Sequence, residues 1–151
     1  SGIDPTHFDA HMGTVMASPA LLNIYVKLGE EYKVPVLLDR SLAQSVKSGN
    51  TIAVDKILGA SPSDFKQSMK DFYSNIIKSL QPGISIIIIH TAYDDAEMQA
   101  ITADHPDWGA VWRQADYDFF TSDVCKQLIQ EEKIIMITWR EIRDKVIRAR
   151  P

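Results

Sequence analysis

The sequence has few of the features that assign a chain quickly to a class of protein. It has 151 residues and a formal net charge of −4, and its lysines and arginines form no cluster. A nucleic acid or an anionic membrane surface is therefore not an expected partner. No apolar run is long enough to span a bilayer. A cytoplasmic location is favoured over export, and both stay open.

Cysteine is almost absent as well. The one cysteine, Cys125, excludes an internal disulfide. Because it lies in a helical pattern between Val124 and Lys126, packing is a better interpretation than a role as nucleophile. Internal repeats, low-complexity segments and linkers are also missing, so we expect residues 1–151 to form a single domain.

The sequence contains four histidines, and two of them lie close together near its start. His7, Asp9 and His11 follow one another at i, i+2 and i+4, the period of a β-strand, so their side chains would share one face. Two imidazoles and a carboxylate can hold a divalent cation or position a water for attack. The alternative is a polar strand end whose groups hydrogen-bond to one another.

Strand-like and helix-like segments alternate along the rest of the chain. Ser18-Pro19 and Ser61-Pro62 each look like an N-cap followed by proline at the first helical position. The alternation predicts an α/β fold of parallel β/α units with right-handed crossovers. The predicted strands are 7–11, 34–38, 51–54, 84–90 and 134–137, and the predicted helices are 19–32, 61–80, 94–101, 109–120, 122–133 and 138–147.

Three polar side chains lie at or just past the ends of predicted strands: those of His11, Arg40 and His90. In parallel β/α folds, active groups gather at the C-terminal ends of the strands. His90 follows four isoleucines, and it costs free energy to place an imidazole that has no function in apolar surroundings. The alternative is a core histidine that bonds to a backbone carbonyl. We expect Arg40 and His90 to be functional.

Several of these segments resemble motifs of the YdjC-like carbohydrate deacetylases. Residues 5–11, P-T-H-F-D-A-H, resemble the family segment P-T-H-x-D-S-H, and residues 89–95 resemble C-H-P-G-x-x-D. Trp112-Arg113 with Asp116 resembles its R-x-x-E-x-x-x-L helix, and residues 137–142 resemble its closing strand and helix. The resemblance extends along most of the chain.

The resemblance implies a fold and a chemistry. The fold would be a partial (β/α)-barrel of the seven-stranded deacetylase type, with this chain as the C-terminal part of a larger barrel. The activity would be metal-dependent removal of N-acetyl groups from amino sugars or oligosaccharides, with Mg or Zn as the divalent metal. His11 would be a metal ligand with His7 and Asp9 as supporting neighbours, His90 the acid, and Arg40 the residue that orients a catalytic carboxylate.

The chain lacks the Asp-Asp pair and the further metal-binding histidine that begin the family pattern. We therefore expect the isolated chain to be inactive and to pair with a missing N-terminal segment or with another copy. Two other functions stay open. One is a phosphoesterase or amidohydrolase on a similar barrel, and the other is a non-catalytic carbohydrate-binding module in which Trp108, Trp112 and Tyr117 stack on sugar rings.

Overall fold

The computed structural model describes residues 2–46, 51–105 and 107–150, and these form two compact units. The first unit combines residues 1–56 with residues 136–151, and the second contains residues 57–135. No helix of the described residues is long and apolar enough to cross a membrane. Each unit has its own small sheet and its own helices, so each is described by itself.

The elements follow one another in mixed α/β order. A 3-10 helix, His11–Ala17, comes first, and a π-helix, Arg143–Ile147, comes last. The four strands are β1 (Val36–Asp39), β2 (Thr51–Val54), β3 (Lys56–Gly59) and β4 (Ser85–Ile88). The helices are α1 (Pro19–Tyr32), α2 (Arg40–Ser45), α3 (Pro62–Gln67), α4 (Met69–Ser79), α5 (Ala96–Ile101), α6 (Ala110–Thr121), α7 (Asp123–Glu131) and α8 (Trp139–Ile142).

The first unit is built on a parallel pair of strands with α1 packed against it. In the register of β1 and β2, Val36 lies opposite Thr51 and Asp39 opposite Val54. Gly29 of α1 is buried where the helix meets β1, and a Cβ there would lie 2.6 Å from Cγ1 of Val36. Glycine thus allows the close approach of the helix to the strand. The core of this unit consists of Leu22, Tyr25, Val26, Val36 and Leu38.

The second unit has a sheet of two hydrogen-bonded strands, β3 and β4, and a helical core. That core comes from α4, α6 and α7 and contains Cys125, which is 2% exposed. Burial raises the pKa of the Cys125 thiol, which agrees with packing rather than nucleophilic attack. The buried members of the core are Met69, Tyr73, Ile77, Trp112, Phe119, Cys125 and Leu128.

The predicted helix starts at Ser18 and Ser61 are confirmed. The Ser18 side chain accepts from the N–H of Leu21, and Ser61 forms a capping box with Asp64. The predicted helix 61–80 is nevertheless two helices, α3 and α4, which Ser68 separates. Ser68 has extended backbone angles, and its hydroxyl accepts from the N–H of Asp71. A serine that caps a second helix in this way interrupts the first.

Two predicted strands are wrong. In the opening segment only Phe8 forms a parallel bridge, to Val36. The chain then turns at Met12 and Gly13, which have φ angles of 54° and 67°, so His11 begins a 3-10 helix. The segment 134–137 lies in no strand of the described part of the chain, and Ile135 and Met136 are 83% and 71% exposed. Without a neighbouring strand, its apolar pattern cannot form a sheet ladder.

Candidate functional site

The first unit brings the ends of two strands to one edge of its sheet. β1 and β2 are parallel, and Asp39 at the end of β1 lies opposite Val54 at the end of β2. The residues that follow the two strands, Arg40 and Asp55, therefore leave the sheet at the same edge. Phe8, which precedes Asp9 to His11, pairs with Val36 at the start of β1.

An ion pair joins the ends of the two strands at this edge. The Nε of Arg40 donates to Oδ1 of Asp55 over 2.8 Å, and a second guanidinium N–H donates to the same oxygen. The two side chains are 57% and 30% exposed. Sequence analysis selected Arg40 but missed Asp55. The signal was available, because Asp55 directly follows the predicted strand 51–54.

Asp39 fixes the point at which Arg40 leaves the sheet. Its Oδ1 accepts from the backbone N–H of Ser41 at 2.8 Å and of Leu42 at 3.0 Å, so it caps α2. Hydrogen bonds from Ser41 and Leu42 lower the pKa of the Asp39 carboxyl, that from the Ser41 hydroxyl most of all. The capped helix start holds the Arg40 backbone at its first position.

The structure does not assemble His7, Asp9 and His11 into one site. The His7 ring stacks on Trp139 with 4.7 Å between centroids, and its Nδ1 lies 3.0 Å from Oγ1 of Thr6. Partial burial lowers the pKa of His7, against the opposing effect of the Asp9 charge. Asp9 and His11 are exposed.

This arrangement does not fit a complete metal site. Within residues 2–46, 51–105 and 107–150, no group of three or more His, Cys, Asp or Glu side chains is placed to hold a metal ion. A catalytic zinc ordinarily has three protein ligands. His11 could therefore supply at most part of a ligand set.

His90 lies in the second unit, two residues past the end of β4, and is exposed. Its backbone N–H donates to Oδ2 of Asp116 over 2.8 Å. Asp116 is completely buried, and its other oxygen accepts from the hydroxyl of Tyr73 at 2.6 Å. Burial and the adjacent carboxylate raise the pKa of Tyr73 far above its ordinary value, so its hydroxyl stays protonated and donates. Asp116 thus holds the His90 backbone at a fixed place.

Further contacts attach the loop after β4, residues 89–95, to α6. The N–H of Ala92 donates to the carbonyl of Arg113 over 3.3 Å. The N–H of Asp94 donates to Oε1 of Gln114 over 2.9 Å. Together with the His90–Asp116 bond, these contacts fix the loop at alternate residues along its length. The imidazole is therefore exposed on a loop whose backbone is well held.

The aromatic residues proposed for sugar stacking differ in accessibility. Trp112 is 2% exposed and stacks on Phe65 with 5.0 Å between ring centroids, so it belongs to the core. Trp108 is 44% exposed, and its ring packs against that of Trp112. Tyr117 contacts Tyr93 instead, which is 61% exposed. Sequence analysis did not select Tyr93.

The protein has a mixed α/β fold with short strands, and the strands of the first unit are parallel. Arg40, Asp55 and His90 each lie just past the end of a strand. The family model described as YdjC-like protein matches residues 1–131. The chain therefore belongs to the YdjC-like family, and the resemblance seen in its motifs is confirmed.

One solved structure supports the fold. The chain is similar to a crystal structure from Enterococcus faecalis V583 of a protein named "putative cellobiose-phosphate cleavage protein", with 19% identity and a TM-score of 0.63. The similarity covers 91% of this chain and 53% of that chain, so this chain spans about half the length of the Enterococcus protein. No curated protein matches the sequence.

Proposed function

We propose that this chain is part of a hydrolase that removes N-acetyl groups from amino sugars or oligosaccharides. The observation that carries the proposal is the exposed imidazole of His90 on a loop held by the buried carboxylate of Asp116, in a chain of the YdjC-like family. The name of the Enterococcus protein refers to a carbohydrate and so supports the substrate class.

The reaction requires water to add to the acetyl carbonyl and the amine to leave with a proton. An amine anion is a very poor leaving group, so an acid must protonate the nitrogen as its bond to carbon breaks. Histidine suits this task because imidazole titrates near neutral pH. His90 would donate that proton, and the anchored backbone would keep the imidazole in place between turnovers.

In the first unit, the Arg40–Asp55 pair offers a carboxylate that a guanidinium group orients. A carboxylate near the attacking water can accept its proton. Both Arg40 donors bind Oδ1 of Asp55, which restricts the orientation of the carboxylate. We therefore assign to Arg40 the orienting role that the resemblance implies, with Asp55 as the carboxylate that it orients.

The family resemblance also implies a divalent metal, Mg or Zn, with His11 as one ligand. The described residues do not provide a complete ligand set for such an ion. A partner segment or a second copy would have to complete both the ligand set and a seven-stranded barrel.

Acetate release from oligomers of N-acetylglucosamine tests the proposal, with the full gene product assayed beside this chain. We expect release by the full product and little by the chain alone. His90→Ala should lower kcat by about 10²–10⁴-fold, because a general acid acts in the transition state. His105→Ala is the matched control, since His105 is an exposed histidine of the same unit. Near-normal turnover in His90→Ala would remove His90 from the acid role.

A further inference from the structure

We propose that Tyr93 and Tyr117 form a binding subsite for a second sugar ring, next to the ring that carries the N-acetyl group. This inference rests on the proposed function, and of the two substrate classes named there it selects the oligosaccharides. The two tyrosines belong to the loop after β4 and to α6, both in the second unit.

The exposed ring of Tyr93 packs against the half-buried ring of Tyr117. Their centroids lie 4.9 Å apart, with an interplanar angle of 55°. The hydroxyl of Tyr93 donates to that of Tyr117 over 3.1 Å, and Tyr93 is 61% exposed. A tyrosine ring offers a broad apolar face together with a polar group, a combination that matches a pyranose, whose C–H faces are apolar and whose rim carries hydroxyls.

The hydroxyl pair keeps hydrogen-bonding capacity for a ligand. The bond between the two tyrosines uses one of their two O–H groups as a donor, and each hydroxyl oxygen has two acceptor lone pairs. The pKa of Tyr117 is raised, chiefly by its contact with Tyr93, so its hydroxyl is protonated at neutral pH and can donate. Sugar hydroxyls are both donors and acceptors and so can use both functions.

Hydrogen bonds hold the backbone on both sides of Tyr93. On either side of Tyr93, the N–H of Ala92 is bound to the carbonyl of Arg113 and the N–H of Asp94 to Gln114. The side chain of Gln114 in turn donates to Asp118 over 2.7 Å. Binding to a surface that is already ordered costs less conformational entropy than binding to a mobile loop.

The spacing along the loop favours a neighbouring ring over the reacting ring itself. Tyr93 is three positions after His90, so their Cα atoms are at most about 11 Å apart even when the chain is fully extended. His90 and Tyr93 also contact Asp116 and Tyr117, which are adjacent on α6. A ligand whose nitrogen lies at His90 would therefore extend over the tyrosines with its next ring.

The charges around the pair favour an uncharged ligand. Asp94 follows Tyr93 and Asp118 follows Tyr117, and the Asp118 charge contributes to the raised pKa of Tyr117. Carboxylates at this place would repel an anionic sugar. N-acetylated oligosaccharides are neutral, so they fit this surface better than phosphorylated sugars.

The test measures binding by the full gene product, so that it does not depend on turnover. The probes are N-acetylglucosamine and its β-1,4-linked disaccharide, titrated by calorimetry or NMR. Tyr93→Ala and Tyr117→Ala should each raise the Kd of the disaccharide by about three- to tenfold, since each removes one aromatic contact. The Kd of the monosaccharide should change less. Tyr93→Phe, which keeps the ring, should lose less affinity than Tyr93→Ala.

Tyr32→Ala is the matched control, because Tyr32 is 51% exposed and lies in the first unit. Unchanged circular dichroism would show that the variants fold. An unchanged Kd for the disaccharide in both alanine variants, or no binding by the wild type, overturns the subsite. Binding that depends on Tyr93 without any acetate release would instead overturn the deacetylase activity and leave the subsite in place.

Discussion

The buried carboxylate of Asp116 accepts a hydrogen bond from the backbone N–H of His90, 26 residues before it in the chain. Asp116 has no exposed surface, and its other oxygen bonds to the hydroxyl of Tyr73. Burying a carboxylate is costly unless hydrogen bonds compensate for its lost hydration. Both of its oxygens are bonded here, and one of the bonds holds the backbone of the candidate acid.

Asp116→Ala should destabilise the protein, because it leaves the Tyr73 hydroxyl and the His90 N–H without their acceptor. Each buried donor left unsatisfied costs about 1–3 kcal/mol. Tyr73→Phe removes only one hydrogen bond and should cost less. Asp118→Ala, at an exposed position of the same helix, should change the free energy of unfolding by about 0.5 kcal/mol or less. Urea unfolding measures all three, and equal effects of Asp116→Ala and Asp118→Ala would contradict the buried network.

Arg40→Lys should lower the activity clearly and the stability only slightly. The Arg40–Asp55 pair is partly exposed, so its loss should cost about 0–1 kcal/mol of stability. A lysine cannot place two donors of one planar group on Asp55, so kcat for acetate release should fall clearly. Arg140→Lys is the control, since Arg140 is an exposed arginine of the same unit. A wild-type kcat in Arg40→Lys would show that the pair has no orienting role.

Glu141 makes stability depend on acidic pH. Hydrogen bonds from Lys145 and Thr138 lower the pKa of its carboxyl from 4.5 to about 2. Because the folded pKa is lower than the unfolded one, the unfolded state binds more protons between these values. The contribution is complete above about pH 4.5 and is lost as the pH falls toward about 2. Urea unfolding over this range should show a weaker pH dependence in Glu141→Gln than in the wild type, and identical curves would refute the assignment.

Metal binding by this chain alone should be weak. His11 is exposed at the start of the 3-10 helix, and the described residues offer no group of three ligands that includes it. Two or three missing ligands leave too few bonds to offset the hydration of the ion. Titration calorimetry with zinc measures this affinity directly. Stoichiometric micromolar binding that disappears in His11→Ala would show that the chain assembles a site we have not identified.

Features of the fold that depend on neighbouring residues and on common backbone angles were predictable from the sequence. The caps at Ser18 and Ser61 were predictable because each depends on a residue three positions further along the chain. The turn at Met12 was not, because it requires a positive φ that non-glycine residues seldom adopt. The same limit explains why the opening strand was predicted through His11.

The candidate site was predicted only in part for a similar reason. Arg40 and His90 were visible because each follows an apolar strand. Asp55 also follows a predicted strand, but its pairing with Arg40 depends on the register of two strands, and the His90–Asp116 bond depends on the packing of α6. Such pairings are set by tertiary structure, which no local pattern in one sequence encodes.

The segment 134–137, which the sequence predicted to be the final strand, is expected to promote association of the chain. Ile135, Met136 and Ile137 are 83%, 71% and 48% exposed. Consecutive exposed apolar residues are typical of surfaces that another chain or segment covers. We therefore expect the isolated chain to form dimers or larger assemblies, in line with the pairing with another copy that the sequence predicts.

Light scattering at several concentrations measures this association. Ile135→Lys should shift the chain toward the monomer, because a charge in an apolar contact is costly to bury. Ile101→Lys is the matched control, since Ile101 is 65% exposed as an isolated apolar side chain of α5. Equal effects of the two substitutions would mean that the 134–137 segment is not at the contact. A wild-type chain that stays monomeric at every concentration would mean that it needs no partner to cover its apolar surface.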